Sequence, residues 1–165
     1  MMRFCPECAT ALEQRLFEGK LRPSCSNCGY IAFTDPKVAA TVLIERAGNV
    51  LLARRAIDPG RGLWCFPGGY VDFGEDPALA AIRECREETG LTLTQLSLLD
   101  VSFNGRVIVI TYHAHAPADI APIPADDADM ADWFAPDRLP PLAFANMHQS
   151  IALWQQRAEQ TDKRP

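Results

Sequence analysis

The sequence predicts an α/β domain preceded by a small zinc ribbon, and three observations carry that expectation. Four cysteines fall as two Cys-x-x-Cys pairs within the first 28 residues, Cys5 with Cys8 and Cys25 with Cys28. Apolar stretches of strand character follow, on both sides of a glycine- and proline-rich loop. Between them lies a helix with start and stop signals at Asp76–Pro77 and Gly90.

The totals agree with one full domain and a small appendage. The chain has 165 residues, of which 48% are hydrophobic, and a formal net charge of −5. That composition supports a packed core. Scattered basic residues and few aromatics in the ribbon argue against nucleic acid as a partner. An acidic chain can still act on phosphates if divalent cations bridge the like charges. No apolar run is long enough to span a membrane. The start "MMRFCPEC" has no apolar leader, which points to the cytoplasm.

Taken in order, residues 1–33 are expected to be the zinc ribbon. In a cytoplasmic chain a doubled Cys-x-x-Cys pattern reads as metal ligation, so Cys5, Cys8, Cys25 and Cys28 are the expected structural Zn²⁺ ligands. Pro6 and Gly29 suit the tight turns of such knuckles. So short a segment buries too little to fold alone, and bound zinc would supply the difference. Residues 36–160 are expected to form the main domain. "VAATVLIER" and "NVLLARR" read as a hairpin of buried strands, and "AIDPGRGLWCFPGG" as loop. The helix after Pro77 should set Leu79, Ile82, Cys85 and the stem of Arg86 on or beside its buried side. "LTLTQLSLLDVSF" and "RVIVITYHAHA" read as strands joined through Asn104–Gly105. "APADIAPIPADDAD" is a proline-rich acidic loop. "MADWFAPDRLP" is a short strand and a turn, and "FANMHQSIALWQQRAEQ" an amphipathic helix before a fraying "TDKRP".

The helix carries the chemistry. Glu84, Glu87 and Glu88 stand at i, i+3 and i+4 and project from one face. Alone, three such residues make an acidic solvated surface. The glycine-rich entry, Glu75 before the helix and Arg83 beside the cluster add a second reading. Arg83 could hold a carboxylate by a bidentate pair, and the carboxylates would suit hard divalent cations.

From Gly69 the chain runs five residues to Glu75, seven more, then Arg83-Glu84-Cys85-Arg86-Glu87-Glu88-Thr89-Gly90-Leu91. This resembles the Nudix box, G-x5-E-x7-R-E-U-x-E-E-x-G-U with U a bulky apolar residue. Every fixed letter is present; at about 7% usage each, chance agreement is about one in 10⁸ starts. Cys85 replaces the usual branched apolar residue and reads as core, as does Cys65. The ribbon before the box, with "GLWCFPGGYVDFGE" and "PPLAFANMHQSIALW", resembles the zinc-ribbon group of ADP-ribose and FAD pyrophosphatases. Likeness to NADH pyrophosphatases is more distant, because their "SQPWPFPxS" stretch is missing.

The resemblance implies a Nudix α/β/α sandwich with a mixed β-sheet. It implies a metal-dependent hydrolase of a small-molecule nucleotide, cleaving the diphosphate of ADP-ribose, FAD or NADH by water attack on phosphorus. Glu84, Glu87 and Glu88 would bind Mg²⁺ or Mn²⁺. Glu75 would support them, Arg83 would orient a glutamate, and Gly69 would let the backbone approach. Glu88 or Glu87 is the expected base, and Asp127 an extra candidate ligand within an otherwise solvated acidic loop. Arg54 and Arg55 are candidates for a substrate phosphate, although strand alternation lets only one face the site easily. Phe33, Tyr70, Phe103 and Phe144 could stack on a flat ring or belong to the core. His113 and His115 share a strand face, with no carboxylate placed beside them by sequence. Related enzymes imply a homodimer. The other readings are a nucleoside triphosphate house-cleaning hydrolase and a non-catalytic nucleotide sensor.

Overall fold

In the computed structural model, residues 2–116 and 121–162 are described, and the chain divides into two compact units, residues 1–36 and 37–165. Part of the acidic loop, 117–120, and the end of the terminal stretch, 163–165, lie outside the described residues.

The first unit is a hairpin with two knuckles. Strands β1 (Leu12–Phe17) and β2 (Lys20–Cys25) pair antiparallel across a turn at Glu18–Gly19, where both residues have positive φ. That turn matches the right-handed twist of the strands it joins. In each Cys-x-x-Cys turn, the first cysteine's carbonyl accepts from the amide four residues on: Ala9 to Cys5 at 2.9 Å, Gly29 to Cys25 at 3.2 Å. Both donors, Ala9 and Gly29, are left-handed. The four sulfurs therefore converge. Cys8 and Cys25 are 3.5 Å apart, as are Cys5 and Cys28. This is far longer than a disulfide and near the edge of a tetrahedron, about 3.8 Å for Zn–S bonds of 2.3 Å.

The second unit is built on one mixed sheet. Its strands are β3 (Lys37–Arg46), β4 (Asn49–Arg55), β5 (Trp64–Cys65), β6 (Gly68–Tyr70), β7 (Ser97–Phe103), β8 (Val107–His115) and β9 (Ala128–Phe134). The main path runs β5-β4-β3-β8-β7, with β6 on β3 and β9 on β4. Strand β3 is the organising element. One edge pairs in parallel with β8 along nearly its whole length; the other is divided, antiparallel to β6 at Ala39–Thr41 and to β4 at Ile44–Arg46. Alternation along β3 fills two cores. Val42 and Ile44 pack with Cys85 and Leu91, while Leu43 packs with Leu52, Met147, Ile151 and Trp154.

Helix α1 (Pro77–Thr89) begins where the side chain of Asp76 accepts from the amides of Ala78 (2.8 Å) and Leu79 (3.3 Å). It ends at Gly90, whose left-handed φ is 71° and whose amide reaches the Arg86 carbonyl. Its buried residues are Ala80, Ala81, Cys85, Glu88 and Thr89. The expected burial of Leu79 is corrected: it is 61% exposed, and Arg86 is exposed as well. The helix is rotated so that Ala80 and Ala81 sit against Ala40, and such small residues permit a close seat on the sheet. Helix α2 (Asn146–Asp162) covers the other core through Met147, Ile151 and Trp154. No helix among the described residues is long and apolar enough to cross a membrane.

Two further expectations need correcting. The stretch read wholly as loop contains β5 and the start of β6; both strands are too short to show alternation, and β6 opens on two glycines. The stretch from Leu91 to Leu96 is not a strand, since β7 starts only at Ser97; Leu91 and Leu93 are instead buried plugs of the core under α1. Cys65 and Cys85 are both buried, and desolvation pushes each thiol up to about 11.

Replacing Asp76 with Ala removes the acceptor for two amides at the start of α1. The expected cost is about 1 kcal/mol, read as a lower urea midpoint. Tryptophan fluorescence is the probe, because Trp64, Trp133 and Trp154 all lie in the second unit.

Candidate active site

The site assembles where α1 faces the glycines of β6. Arg83 is its hub. Its Nε and Nη2 donate to the two oxygens of Glu75, each at 2.9 Å. Nη1 donates to Glu84 at 2.7 Å and to Glu87 at 3.3 Å, and Nη2 also reaches the Tyr70 carbonyl at 3.3 Å. One guanidinium thus holds three carboxylates and the backbone of the loop. The fork geometry of arginine makes this possible; a lysine could not reproduce it. The pairing with Arg83 draws the Glu75 carboxyl down to about 2.

Glu84 and Glu88 lie on the inner side. The backbone of Gly69 passes so close to Glu84 that an added Cβ would stand 2.5 Å from its carboxylate carbon. Gly68, with φ of 150°, would drive a Cβ to 2.4 Å from the Ala40 carbonyl oxygen. Both positions therefore require glycine, one for the site and one for the strand pairing that brings it there. The amide of Gly68 donates to Glu88 at 3.0 Å. Glu88 is only 5% exposed. Burial, with smaller contributions from Glu84 and Asp127, raises its carboxyl to about 8, against the pull of the Gly68 amide and Arg55. Burial also raises Glu84, opposed by Arg83. Glu87 is more open, with its side chain 40% exposed.

Asp126 and Asp127 lie in a loop tied to the end of α1 and to β4. The Ala125 amide donates to the Glu88 carbonyl at 3.2 Å, and the Ala56 amide to the Asp127 carbonyl at 2.7 Å. Asp127 thus acts electrostatically on Glu88, and Asp126 on Glu84. The two arginines at the end of β4 separate as strand alternation requires. Arg54 makes a bidentate pair with Asp129, at 2.7 and 3.1 Å. Arg55 interacts with Glu88, donates to the Pro59 carbonyl at 2.6 Å, and lies over the Phe144 ring.

None of the four candidate aromatics is core: Phe33, Tyr70, Phe103 and Phe144 are 54%, 52%, 63% and 38% exposed. Tyr70 carries Lys37 over its ring and adjoins the site through its carbonyl. Phe103 stands at the end of β7, an edge strand separated from β3 by β8. The sequence reading did not foresee the Gly68 amide, whose only signal was the Gly68–Gly69 pair. It also missed Glu45, which the parallel pairing of β3 with β8 brings beside His113 and His115.

Carboxylates gathered on one helix face, clamped by arginine and backed by a bare glycine backbone, can hold divalent cations against a phosphate chain. Comparison with known proteins points the same way. A family model described as the NUDIX domain matches residues 35–155. Over 121 residues the chain is 36% identical to the ADP-ribose pyrophosphatase of Methanocaldococcus jannaschii, covering 70% of this chain and 71% of that one. Over 146 residues it is 31% identical to the NAD-capped RNA hydrolase NudC of Pseudomonas aeruginosa, covering 85% of this chain and 50% of that one. The chain thus spans half the length of that second relative. A crystal structure of a NUDIX hydrolase from Nitrosomonas europaea matches with a TM-score of 0.85 at 26% identity, over 95% of this chain and 93% of that one. A mixed sheet between helices, the box carboxylates in register and the matched family model agree, and the chain belongs to the Nudix hydrolase family.

Proposed function

We propose that the chain is a metal-dependent pyrophosphohydrolase that cleaves the diphosphate of an ADP-linked small molecule, ADP-ribose, FAD or NADH, and releases AMP. The observation that carries this reading is the Arg83 clamp on Glu75, Glu84 and Glu87 beside the buried Glu88. The similar ADP-ribose pyrophosphatase and NAD-capped RNA hydrolase are named for substrates that share an ADP-linked diphosphate, which supports the substrate class.

The residues fit a hard divalent cation. Glu88 is nearly enclosed and charge-repelled by its neighbours, and a cation would relieve that repulsion. Glu84, Glu87 and Glu88 are the residues that would hold Mg²⁺ or Mn²⁺, with Asp127 as an additional candidate. When bound, the cation supplies neutralisation of phosphate charge and a water of lowered pKa. The chain's own residues do the rest. Arg83 fixes the carboxylates in one arrangement, and Glu75 holds Arg83. The bare backbone at Gly69 leaves Glu84 room. Glu88 or Glu87 accepts the proton of the attacking water as the P–O–P bridge breaks at phosphorus. Arg55 stands on the Glu88 side to meet a phosphate; Arg54 is committed to Asp129. In the first unit, Cys5, Cys8, Cys25 and Cys28 would hold a structural Zn²⁺. The homodimer implied by the resemblance is part of the same reading, and sedimentation velocity measures it.

Three outcomes test it. With Mg²⁺ present, AMP release is measured from ADP-ribose, FAD, NADH and NAD-capped RNA, and pyrophosphate release from a dNTP set. Wild type should turn over at least one ADP-linked substrate, and Glu88→Gln should lose roughly 10²–10⁴-fold in kcat. Equal rates in both proteins would remove Glu88 from the reaction, and a preference for dNTPs would replace the substrate class.

The raised carboxyl of Glu88 gives a second test. Without cation its folded-state value lies at about 8, so below that pH a proton occupies the group and competes with metal. Apparent Mg²⁺ affinity measured by calorimetry should rise with pH, by up to roughly tenfold per pH unit, and level off above about pH 8. Glu88→Gln should flatten that slope. Third, Cys25→Ser should lower bound zinc by about one per chain relative to wild type in metal analysis.

A further inference from the structure

On the face of the sheet that packs against α2, away from the α1 carboxylates, a second group of metal-binding side chains comes together. Glu45 is the direct register partner of His115 in the parallel β3–β8 pair, and His113 stands two residues earlier on the same face. We propose that Glu45, His113 and His115 form a further metal site, for a zinc-class divalent cation held by two imidazoles and a carboxylate.

The geometry supports it. Nε2 of His113 is 3.0 Å from Oε2 of Glu45, and Nδ1 of His115 is 3.8 Å from Oε1 of the same carboxylate. The ligand atoms lie within 4.8 Å of one another. In a tetrahedral zinc shell with bonds of about 2.0–2.2 Å, ligand atoms stand about 3.4 Å apart. The remaining adjustment falls on His115, whose side chain is 77% exposed and has room to turn. The two rings already stand edge to face with centroids 5.0 Å apart.

The surroundings are those of a held ligand set. The indole Nε1 of Trp154, from α2, donates to Oε2 of Glu45 and fixes the carboxylate's orientation. A partner of that kind orients a ligand and tunes its affinity for the metal. The Arg157 guanidinium donates to the Leu98 and Leu99 carbonyls at 2.9 and 3.0 Å, and its charge also favours the neutral imidazole of His113, the form that binds a metal. Glu45, His113, His115 and Trp154 border an open cleft of about 520 Å³, so the group is reachable from solvent. Three protein ligands with solvent complete a zinc shell. The ligand chemistry also separates this site from the box: imidazole favours zinc, nickel and copper, whereas an all-carboxylate set suits magnesium and manganese.

The test counts zinc by difference, so that metal in the cysteine cluster cancels. The full-length chain, its His115→Ala variant and its Glu45→Gln variant are dialysed against the same low-micromolar free Zn²⁺ with excess Mg²⁺, and bound zinc is measured. Wild type should retain about one more zinc per chain than either variant. His115 is exposed and outside the catalytic cluster, so His115→Ala should fold and keep its pyrophosphatase rate. Glu45→Gln keeps an oxygen for the Trp154 indole while losing the charge. Equal zinc in wild type and His115→Ala would overturn the proposal and leave the three residues a hydrogen-bonded surface group.

Discussion

The carboxylate cluster on α1 is organised first of all by one guanidinium. Three carboxylates and a nearby fourth would repel one another, and the box helix alone offers no reason for them to share a side. Arg83 resolves this by donating to Glu75, Glu84 and Glu87 and to the Tyr70 carbonyl. It therefore joins the helix to the loop that precedes it. Without it, Glu75 and Glu84 would be free to turn towards water, and the Gly68 amide on Glu88 would be left to join the preceding segment to α1. Its pull is visible in Glu75, which is held far below the ordinary carboxylate range, while Glu88, with no direct bond to Arg83 among those seen, is pushed the other way. The same cluster thus contains both a firmly ionised carboxylate and one that readily takes a proton.

The sheet supplies the other half of the site. Strand β3 gives one edge wholly to β8 and divides the other between β6 and β4. The division places the short Gly68–Tyr70 strand beside Ala39–Thr41, and so under the helix that carries the glutamates. Gly68 contributes twice, through close strand pairing and through an amide aimed at Glu88. The paired glycines thus serve as a fixed wall for the cluster rather than as a flexible hinge.

Sequence made the box, the limits of α1 and the four-cysteine pattern legible because each rests on local chemistry at fixed spacing. Asp76, Pro77 and Gly90 act within a turn of themselves, and the glutamate spacing follows from helical geometry alone. The parts that could not be read are set by partners distant in the chain. Leu79 belongs to a leucine-bearing helix, yet contact with Ala40 turns the helix and leaves it in solvent. Strands β5 and β6 are too short to show a period, and only pairing with β4 and β3 makes them strands. His113 and His115 looked unaccompanied because Glu45 lies some seventy positions earlier, and only parallel pairing of β3 with β8 sets them side by side. Arg54 and Arg55, adjacent in sequence, part company because a strand alternates.

The contact of Ala40 with Ala80 and Ala81 has a consequence for the chemistry above it. These methyl groups act as a shim that fixes the height of the helix over the sheet, and Glu84 lies just beyond them against Gly69. A bulkier residue at any of the three would push the helix and its carboxylates away from the backbone wall without removing any of them. The uncharged methyl groups of Ala40, Ala80 and Ala81 therefore calibrate the spacing on which the ionised groups depend.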